Sequence, residues 1–266
     1  GEDISGAFPD LIAALAGEAF ADVALDGELL VVRDGAVQSF GVLQQRLNRK
    51  SVSARLIAEF PVLMRVYDLL FERSEDLRAL HFEARRARLE DFCARNGGAG
   101  IDLSPLLPFG SWDELGQARK NPLGADAGAI EGVMIKRRDS AYAPGRPRGP
   151  WWKWKRDPMN VDAVLMYAQR GHGKRSSYYS DYTFGLWRPG ANGDELVPVG
   201  KAYFGFTDAE LREIDRYVRE NTINRFGPVR EVRADKDQGL VFEIAFEGVN
   251  RSSRHKSGVE IGRAHV

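Results

Sequence analysis

The order of strand-like and helix-like segments after Asp157-Pro158 is the feature that most constrains the fold. Three strand-like segments come first, and Gly-rich turns separate them. A helix follows, in which Thr207 and Glu210 have the spacing of a capping box. Two more strand-like segments complete the series, which therefore occupies residues 161–168, 182–187, 196–204, 207–221, 229–232 and 240–246. Three strands, a helix and two strands are the order of an OB-type barrel, a fold that commonly binds nucleic acid.

The preceding residues mix helices with strands. The sequence predicts strands over 23–32, 132–138 and 151–155, and the largely apolar run 62–71, which contains aromatic residues, predicts a buried strand. Amphipathic spacing and end signals predict helices over 9–20, 40–49, 53–59, 75–95 and 112–118. We therefore predict an α+β protein with two domains. Residues 1–157 would form mixed or antiparallel sheets with helices, and residues 158–266 would form the barrel.

The charges of the chain are distributed unevenly. The whole chain has 38 basic and 38 acidic residues, so its formal net charge is zero. Residues 136–156 nevertheless contain eight basic residues and a single acid, Asp139, together with Tyr142, Trp151, Trp152 and Trp154. Basic residues interleaved with aromatic ones suit a phosphate-bearing ligand. A solvated loop that leads into an ordinary amphipathic strand is the alternative interpretation of the same segment.

The composition excludes several classes of protein. No stretch approaches the roughly 18 apolar residues of a membrane span, so we expect no membrane partner. The single Cys93 excludes an internal disulfide framework and a cysteine metal cluster. The four His residues also lack the spacing of metal ligands. A reducing, cytoplasmic compartment is the default expectation.

Four short motifs in the first 157 residues could carry chemistry. In chain order they are Leu25-Asp26-Gly27-Glu28, Val66-Tyr67-Asp68-Leu69-Leu70, Glu131-Gly132-Val133-Met134-Ile135-Lys136 and Trp152-Lys153-Trp154-Lys155. Each motif alone has an ordinary structural explanation, such as a turn with a solvated acid or a tyrosine in a core. In the last motif, lysines alternate with tryptophans, which predicts a strand with one basic and one aromatic face.

In this order and spacing, the four motifs resemble those of the covalent nucleotidyltransferases, which include ATP-dependent DNA ligases, RNA ligases and mRNA capping enzymes. The resemblance is closer to bacterial ATP-dependent DNA ligases related to the eukaryotic replicative ligase, and it covers nearly the whole chain. It is carried further by the segments 39–50, 131–155, 204–211 and 241–259. The resemblance implies that residues 1–157 are the C-terminal part of an adenylation domain and that residues 158–266 are an OB-fold domain.

The resemblance also implies a chemistry. Such enzymes form a lysyl-AMP from ATP, transfer the AMP to a DNA 5′-phosphate and let a 3′-hydroxyl displace it. By resemblance, Glu28 would hold the ribose or a metal-bound water, and Tyr67 would stack on adenine. Glu131 would help to hold Mg²⁺ (or Mn²⁺), with Glu28 as a second metal-site residue. Lys153 and Lys155 would clamp the α-phosphate of ATP.

Nicked duplex DNA is the partner that the resemblance implies. Its phosphates would meet basic residues of both domains, and these are Arg46, Arg49, Lys136, Arg146, Arg148, Arg170 and Lys174, with Arg175 as an extension of the same path. We expect a monomer that is associated with the nucleoid in the cytoplasm.

Two features depart from the family pattern. The family's nucleophile lies in a Lys-x-Asp-Gly motif, and the sequence contains none, since Ala24-Leu25-Asp26-Gly27 has Ala in the place of the Lys. The last residues, 260–266, do not match the family's basic motif VI. We therefore expect an internal fragment of a ligase that does not adenylate itself. The alternatives are a non-catalytic nucleic-acid-binding module and an mRNA capping-type guanylyltransferase.

Overall fold

Two long antiparallel strands, β1 (Val23–Arg33) and β3 (Val62–Glu72), form the centre of the first sheet. In this computed structural model, the described residues are 2–47, 49–98, 100–145, 148–171, 178–203, 205–262 and 264–265. The chain divides into two compact units, Gly1–Arg156 and Asp157–Val266. The strands predicted over 23–32 and 62–71 are confirmed.

Three short strands complete the first sheet, and one of them makes it mixed. Its order is β2-β1-β3-β4, and β5 pairs with β3 in parallel. The short strands are β2 (Ala36–Val37), β4 (Glu75–Asp76) and β5 (Ile101–Leu103). Two apolar clusters cover the sheet: one contains Leu69, Leu89 and Phe92, and the other contains Phe8 and Val31. The predicted class, α+β with mixed and antiparallel sheets, is confirmed for this unit.

Four of the five helices predicted for the first unit are shorter in the structure, and the fifth is two residues longer. The helices are α1 (Pro9–Ala14), α2 (Phe40–Leu43), α3 (Ala54–Glu59), α4 (Phe82–Asn96) and α5 (Trp112–Lys120). The helix predicted over 75–95 begins only at Phe82, because Arg73 and Ser74 have positive φ and turn the chain back into β4. The helix predicted over 40–49 ends at Leu43, after which the described residues form turns.

A separate hairpin carries the end of the first unit. Strands β6 (Gly132–Lys136) and β7 (Trp151–Lys155) pair antiparallel, with Gly132 opposite Lys155 and Lys136 opposite Trp151. An ideal Cβ on Gly132 would lie 2.4 Å from the carbonyl oxygen of Trp154. Only glycine therefore lets the two strands approach so closely at this position.

The second unit is built on the long strand β8 (Met159–Arg170). Its sheet has the order β10-β9-β8-β12-β11, and β13 pairs with the first half of β8. The remaining strands are β9 (Tyr179–Gly190), β10 (Gly193–Ala202), β11 (Thr222–Phe226), β12 (Val229–Val232) and β13 (Val241–Phe246), with a hairpin of β14 (Gly248–Arg251) and β15 (Val259–Gly262). The sequence predicted five of these strands and missed β11 and the hairpin.

Helix α6 (Asp208–Glu220) lies between β10 and β11. Its predicted capping box is confirmed, because Thr207 accepts from the Glu210 amide and Glu210 accepts from the Thr207 amide. The apolar face of α6 buries Leu211, Ile214 and Val218 in the same core as Tyr182 and Phe184 of β9. Within the described residues, no helix is long and apolar enough to cross a bilayer.

Candidate functional site

Tyr67 occupies a β-bulge at the centre of the first sheet. Asp26 pairs with Asp68 and Gly27 pairs with Val66, so Tyr67 is the extra residue of β3. The backbones are close here, because a Cβ on Gly27 would lie 2.7 Å from the Arg65 carbonyl oxygen. Bulges turn side chains out of the regular alternation and are frequent beside binding sites. The half-buried Tyr67 ring is therefore directed by the irregularity that the Asp26-Gly27 motif introduces.

Asp26 accepts hydrogen bonds from two tyrosine hydroxyls that are distant in sequence. The Tyr67 hydroxyl donates to Oδ1 at 2.8 Å, and the Tyr142 hydroxyl donates to Oδ2 at 2.8 Å. Burial and then the Asp26 carboxylate raise the pKa of Tyr67 well above its usual range, with a smaller contribution from Glu28. The same two causes raise the pKa of Tyr142 to about 12. Both phenols therefore stay protonated and keep Asp26 in place.

The ammonium group of Lys136 lies among three aromatic rings. Its Nζ is 4.4 Å from the ring centroid of Tyr67, 4.5 Å from that of Trp151 and 4.9 Å from that of Phe82. The Nζ atom is buried and makes no hydrogen bond to any described residue. Burial lowers the pKa of Lys136 to about 8, although Asp68 and Asp26 act in the opposite direction. We call the rings of Tyr67, Trp151 and Phe82, which surround this ammonium group, the aromatic cage.

The β6–β7 hairpin presents two different faces. Alternation and register put Lys153 and Lys155 on the same face as Trp151 and Lys136. Trp151 belongs to the aromatic cage and Lys136 lies within it, so this is the face that packs on Tyr67. The Lys153 and Lys155 side chains are exposed. The structure thus brings both lysines of the last motif to the face of the hairpin that packs on Tyr67.

The opposite face of the hairpin packs against α5. The Trp154 ring lies 6.4 Å from that of Trp112, and the Arg119 guanidinium is 4.9 Å from the Trp154 centroid. Arg119 also donates to the Lys155 carbonyl oxygen. The alternation of Lys153 and Lys155 with Trp152 and Trp154 is therefore as the sequence predicted, although Trp151 shares the basic face.

The two acidic residues predicted at the site, Glu28 and Glu131, are exposed. Glu28 lies opposite Arg65 in the β1–β3 ladder. Arg65 binds the carboxylates of Asp102 and Asp126 at 2.7 and 2.8 Å, and these bonds raise its pKa. Arg65 is thus held as a permanent cation beside Glu28, a partner that sequence reasoning missed.

The described residues contain no group of three or more His, Cys, Asp or Glu side chains that could hold a metal ion. They therefore do not form a complete protein cage. Mg²⁺ typically uses one or two carboxylates and completes its octahedron with waters and substrate phosphates. Any Mg²⁺ bound by Glu28 or Glu131 would therefore need waters and substrate phosphates as further ligands.

Sequence reasoning also missed a fully buried ion pair next to Tyr67. Arg85 of α4 donates to both carboxylate oxygens of Asp68, at 2.8 and 2.9 Å, and neither side chain is exposed. The same guanidinium donates to the carbonyl oxygens of Leu80 and Ser140. Arg85 thereby joins β3, α4 and the segment that follows β6. Only the position of Asp68 beside Tyr67 was a signal for it in the sequence.

Two predicted DNA contacts are wrong. Arg46 is completely buried, because its guanidinium binds Asp10 and the carbonyl oxygens of Ala7 and Phe60. It therefore stabilises the packing of the N-terminal segment and cannot reach a phosphate. Lys136 is also unavailable, since its Nζ is enclosed in the aromatic cage.

The other predicted DNA contacts stay predictions. Arg49, Arg148 and Arg170 are exposed, as a phosphate contact requires. Arg170 also lies over the ring of Tyr179, with its guanidinium carbon 5.7 Å from the centroid. Arg146, Lys174 and Arg175 lie outside the described residues.

Comparison with known proteins identifies the family. A sequence model described as "ATP dependent DNA ligase domain" matches residues 1–155, more than half of the chain. The chain belongs to the ATP-dependent DNA ligase domain family. The ligase-domain match includes every residue of the site described above, from Asp26 to Lys155.

Curated relatives agree with this assignment to the ligase family. The chain is 36% identical to a "Probable DNA ligase" of Koribacter versatilis, over 97% of the chain and 46% of the relative. It is 32% identical to "DNA ligase 1" of Korarchaeum cryptofilum, over 99% of the chain and 46% of the relative. The chain thus spans just under half the length of these two relatives.

A solved structure shares the fold. It is described as "mycobacterial DNA ligase D complexed with ATP and MES", and it matches 99% of this chain and 78% of its own with a TM-score of 0.50 and 22% identity. At this identity, the likeness concerns the fold alone.

Proposed function

We propose that this chain is the part of an ATP-dependent DNA ligase that holds the adenosine and α-phosphate of ATP and contacts nicked duplex DNA. The observation that carries the proposal is the joint position of Tyr67, Lys153 and Lys155: the face of the β6–β7 hairpin that bears both lysines packs on the Tyr67 ring. A base-stacking ring beside two exposed cations matches the two halves of a nucleotide. The names of the relatives as DNA ligases support the same reading.

The proposed roles follow from the chemistry of each side chain. Tyr67 stacks on adenine, and its hydroxyl stays bonded to Asp26. Lys153 and Lys155 neutralise the α-phosphate as charge moves at phosphorus. Glu28 orients the ribose, and Glu28 and Glu131 would hold Mg²⁺ together with nucleotide oxygens, the ion supplying further charge neutralisation.

The second unit is proposed to be an OB-type barrel that binds DNA. The succession of β8, β9, β10, α6, β12 and β13 supports this assignment, because it is the element order of that fold with only the short β11 inserted between α6 and β12. We also propose that the protein is a monomer and acts on DNA in the cytoplasm, in association with the nucleoid.

ATP binding tests the proposal. The dissociation constant of ATP is measured for the 266-residue chain and its Tyr67→Ala and Tyr67→Phe variants. Loss of the ring should weaken binding by about 1–3 kcal/mol, roughly five- to 150-fold. Tyr67→Phe keeps the ring and should bind nearly as the parent chain does. Equal affinities of the parent chain and Tyr67→Ala for ATP would refute the adenine site.

Adenylation and nick sealing test the catalytic part. With labelled ATP and Mg²⁺, we expect no stable protein–AMP adduct, because these 266 residues contain no Lys-x-Asp-Gly motif. Nick sealing is measured with a full-length protein that contains this chain. There, Lys153→Ala and Glu131→Ala should both abolish most sealing. Normal sealing by both variants would overturn the site assignment.

A non-catalytic nucleic-acid-binding module is the second candidate. The exposed Arg49, Arg148 and Arg170 favour it. DNA binding that neither ATP nor Tyr67→Ala changes, combined with the absence of ATP binding, would select this candidate over the first.

A further inference from the structure

The charge of Lys136 is not needed to fill the aromatic cage. Its Nζ is buried, makes no hydrogen bond among the described residues and lies 4.4–4.9 Å from three ring centroids. Desolvating an ammonium without hydrogen-bond acceptors is unfavourable, and contact with aromatic faces offsets only part of that cost. An unbranched apolar side chain of the same length, such as Met, would fill the space without the penalty.

The charges around the cage come from two elements of the first sheet and from one helix. Asp26 of β1 and Asp68 of β3 favour the charged form of Lys136, whereas Arg85 and Arg86 of α4 disfavour it. Asp68 is already paired with Arg85, and Asp26 already accepts from two tyrosines. Among the described residues, the ammonium therefore has no acidic partner of its own, and the nearest of its three ring centroids is that of Tyr67.

The Tyr67 ring is held at two places. Its hydroxyl is bonded to Asp26, and one of its faces is covered by the Lys136 ammonium. A base that stacks on the ring therefore has only the opposite face. A cation on one side of an aromatic ring is attracted to its negative face, so it fixes the plane in which the ring lies.

We propose that Lys136 is a positioning residue for nucleotide binding: its charged end covers one face of Tyr67, fixes the plane of the ring and makes adenine stack on the other face. This inference rests on the proposed function, because it presupposes that Tyr67 is the adenine platform. It assigns to Lys136 a role on the base, whereas Lys153 and Lys155 act on the phosphate.

The test separates charge, packing and general electrostatics. Lys136→Met keeps the volume and removes the charge, and Lys136→Arg keeps the charge. Lys50→Met is the matched control, since it removes an exposed lysine of the same unit that takes part in none of the site contacts described above. Dissociation constants for ATP and for inorganic triphosphate, which has no base, are measured for the 266-residue chain and each variant.

We expect Lys136→Met to weaken ATP binding by roughly three- to thirty-fold, the range of a desolvated cation–π contact. Triphosphate binding should stay unchanged, and Lys136→Arg should restore most of the affinity for ATP. The melting temperature of Lys136→Met should be equal to that of the parent chain or higher, because a buried charge has been removed.

A pH series gives a readout that a purely structural role would not change. Lys136 loses its charge as the pH rises through about 8. The affinity of the parent chain for ATP should therefore fall between pH 7.5 and pH 9.5 by more than that of Lys136→Arg, which keeps its charge throughout the series. This series also decides the matter if Lys136→Met does not fold.

The outcomes distinguish this inference from the proposed function. If Tyr67→Ala weakens ATP binding but Lys136→Met does not, the role of Lys136 is wrong and the adenine site stands. If Lys136→Met weakens ATP and triphosphate equally, its charge acts on the phosphates and the positioning role is wrong. If Tyr67→Ala leaves ATP binding unchanged, the proposed function fails, and the inference fails with it.

Discussion

Residues that lie far from Tyr67 in the sequence determine much of its surroundings. Asp68 and Arg85 are fully buried, and Arg85 also binds two carbonyl oxygens, those of Leu80 and Ser140. Tyr142 reaches Asp26 from a segment 116 residues away. Because each of these groups satisfies a buried charge or hydroxyl, the loss of one leaves its partner without compensation.

Removing Arg85 should therefore destabilise the first unit strongly. Arg85→Met leaves the Asp68 carboxylate buried and unpaired, which costs about 3–5 kcal/mol in the free energy of unfolding. The double variant Asp68→Leu/Arg85→Met should recover a large part of the lost free energy of unfolding, since the apolar groups that replace the ion pair need no partner. Urea unfolding followed by tryptophan fluorescence measures this, because four of the five tryptophans lie in the first unit.

Arg88→Met is the control for the buried pair. Arg88 lies on α4, as Arg85 does, and makes an exposed ion pair with Glu75 of β4; such pairs contribute about 1 kcal/mol or less. The account of Arg85 is contradicted if the two single variants unfold at the same urea concentration.

At the scale of elements, glycines determine how closely strands approach. Gly27 stands at the bulge that contains Tyr67, and Gly132 stands where β6 meets β7. Gly132 has a φ of 151°, and the backbone of Trp154 and Lys155 occupies the position where a Cβ would lie. The hairpin that carries Lys136, Lys153 and Lys155 depends on this contact.

Gly132→Ala should displace the β6–β7 hairpin. The added Cβ would lie 2.4 Å from the Trp154 carbonyl oxygen, so the strands must separate. We expect a loss of roughly 1–3 kcal/mol in unfolding free energy, measured by urea denaturation, together with weaker ATP binding. Gly128→Ala is the matched control, because nothing lies within 4 Å of its added Cβ. Unchanged ATP affinity and stability of Gly132→Ala would contradict the role of the hairpin.

At the scale of the whole molecule, the zero net charge conceals a basic segment. Residues 136–156 hold eight bases and one acid, so the rest of the chain is mildly acidic. Two of these basic residues already have partners within the protein. Lys136 lies in the aromatic cage, and Arg137 forms an exposed ion pair with Asp139. The exposed residues that stay free for the proposed DNA contact are consequently fewer than the composition suggests.

DNA binding should depend on salt in proportion to the phosphates contacted. Each lost phosphate contact reduces the slope of log affinity against log salt by about 1. We expect this reduction for Arg148→Gln and for Arg170→Gln on nicked duplex DNA. Arg88→Gln, which removes a paired arginine of α4, should leave the slope unchanged. If all three variants give the parent slope, neither Arg148 nor Arg170 contacts a phosphate.

The sequence by itself determined the long strands, the capped helix α6, the class of fold and the four ordered motifs, because strand alternation, capping and turns are properties of neighbouring residues. It could not determine where α4 begins, since that depends on the hairpin between β3 and β4.

Only the tertiary structure decided which basic side chains are buried and which partners they contact. Arg46 and Lys136 look like solvent-exposed bases in the sequence, yet one binds Asp10 and the other lies among Tyr67, Phe82 and Trp151. The partners of a side chain come from segments that meet only after folding, and no local pattern encodes that meeting. For the same reason, Asp26, Arg85 and Tyr142 became visible as supports of Tyr67 only when the sheet, α4 and the hairpin had been assembled.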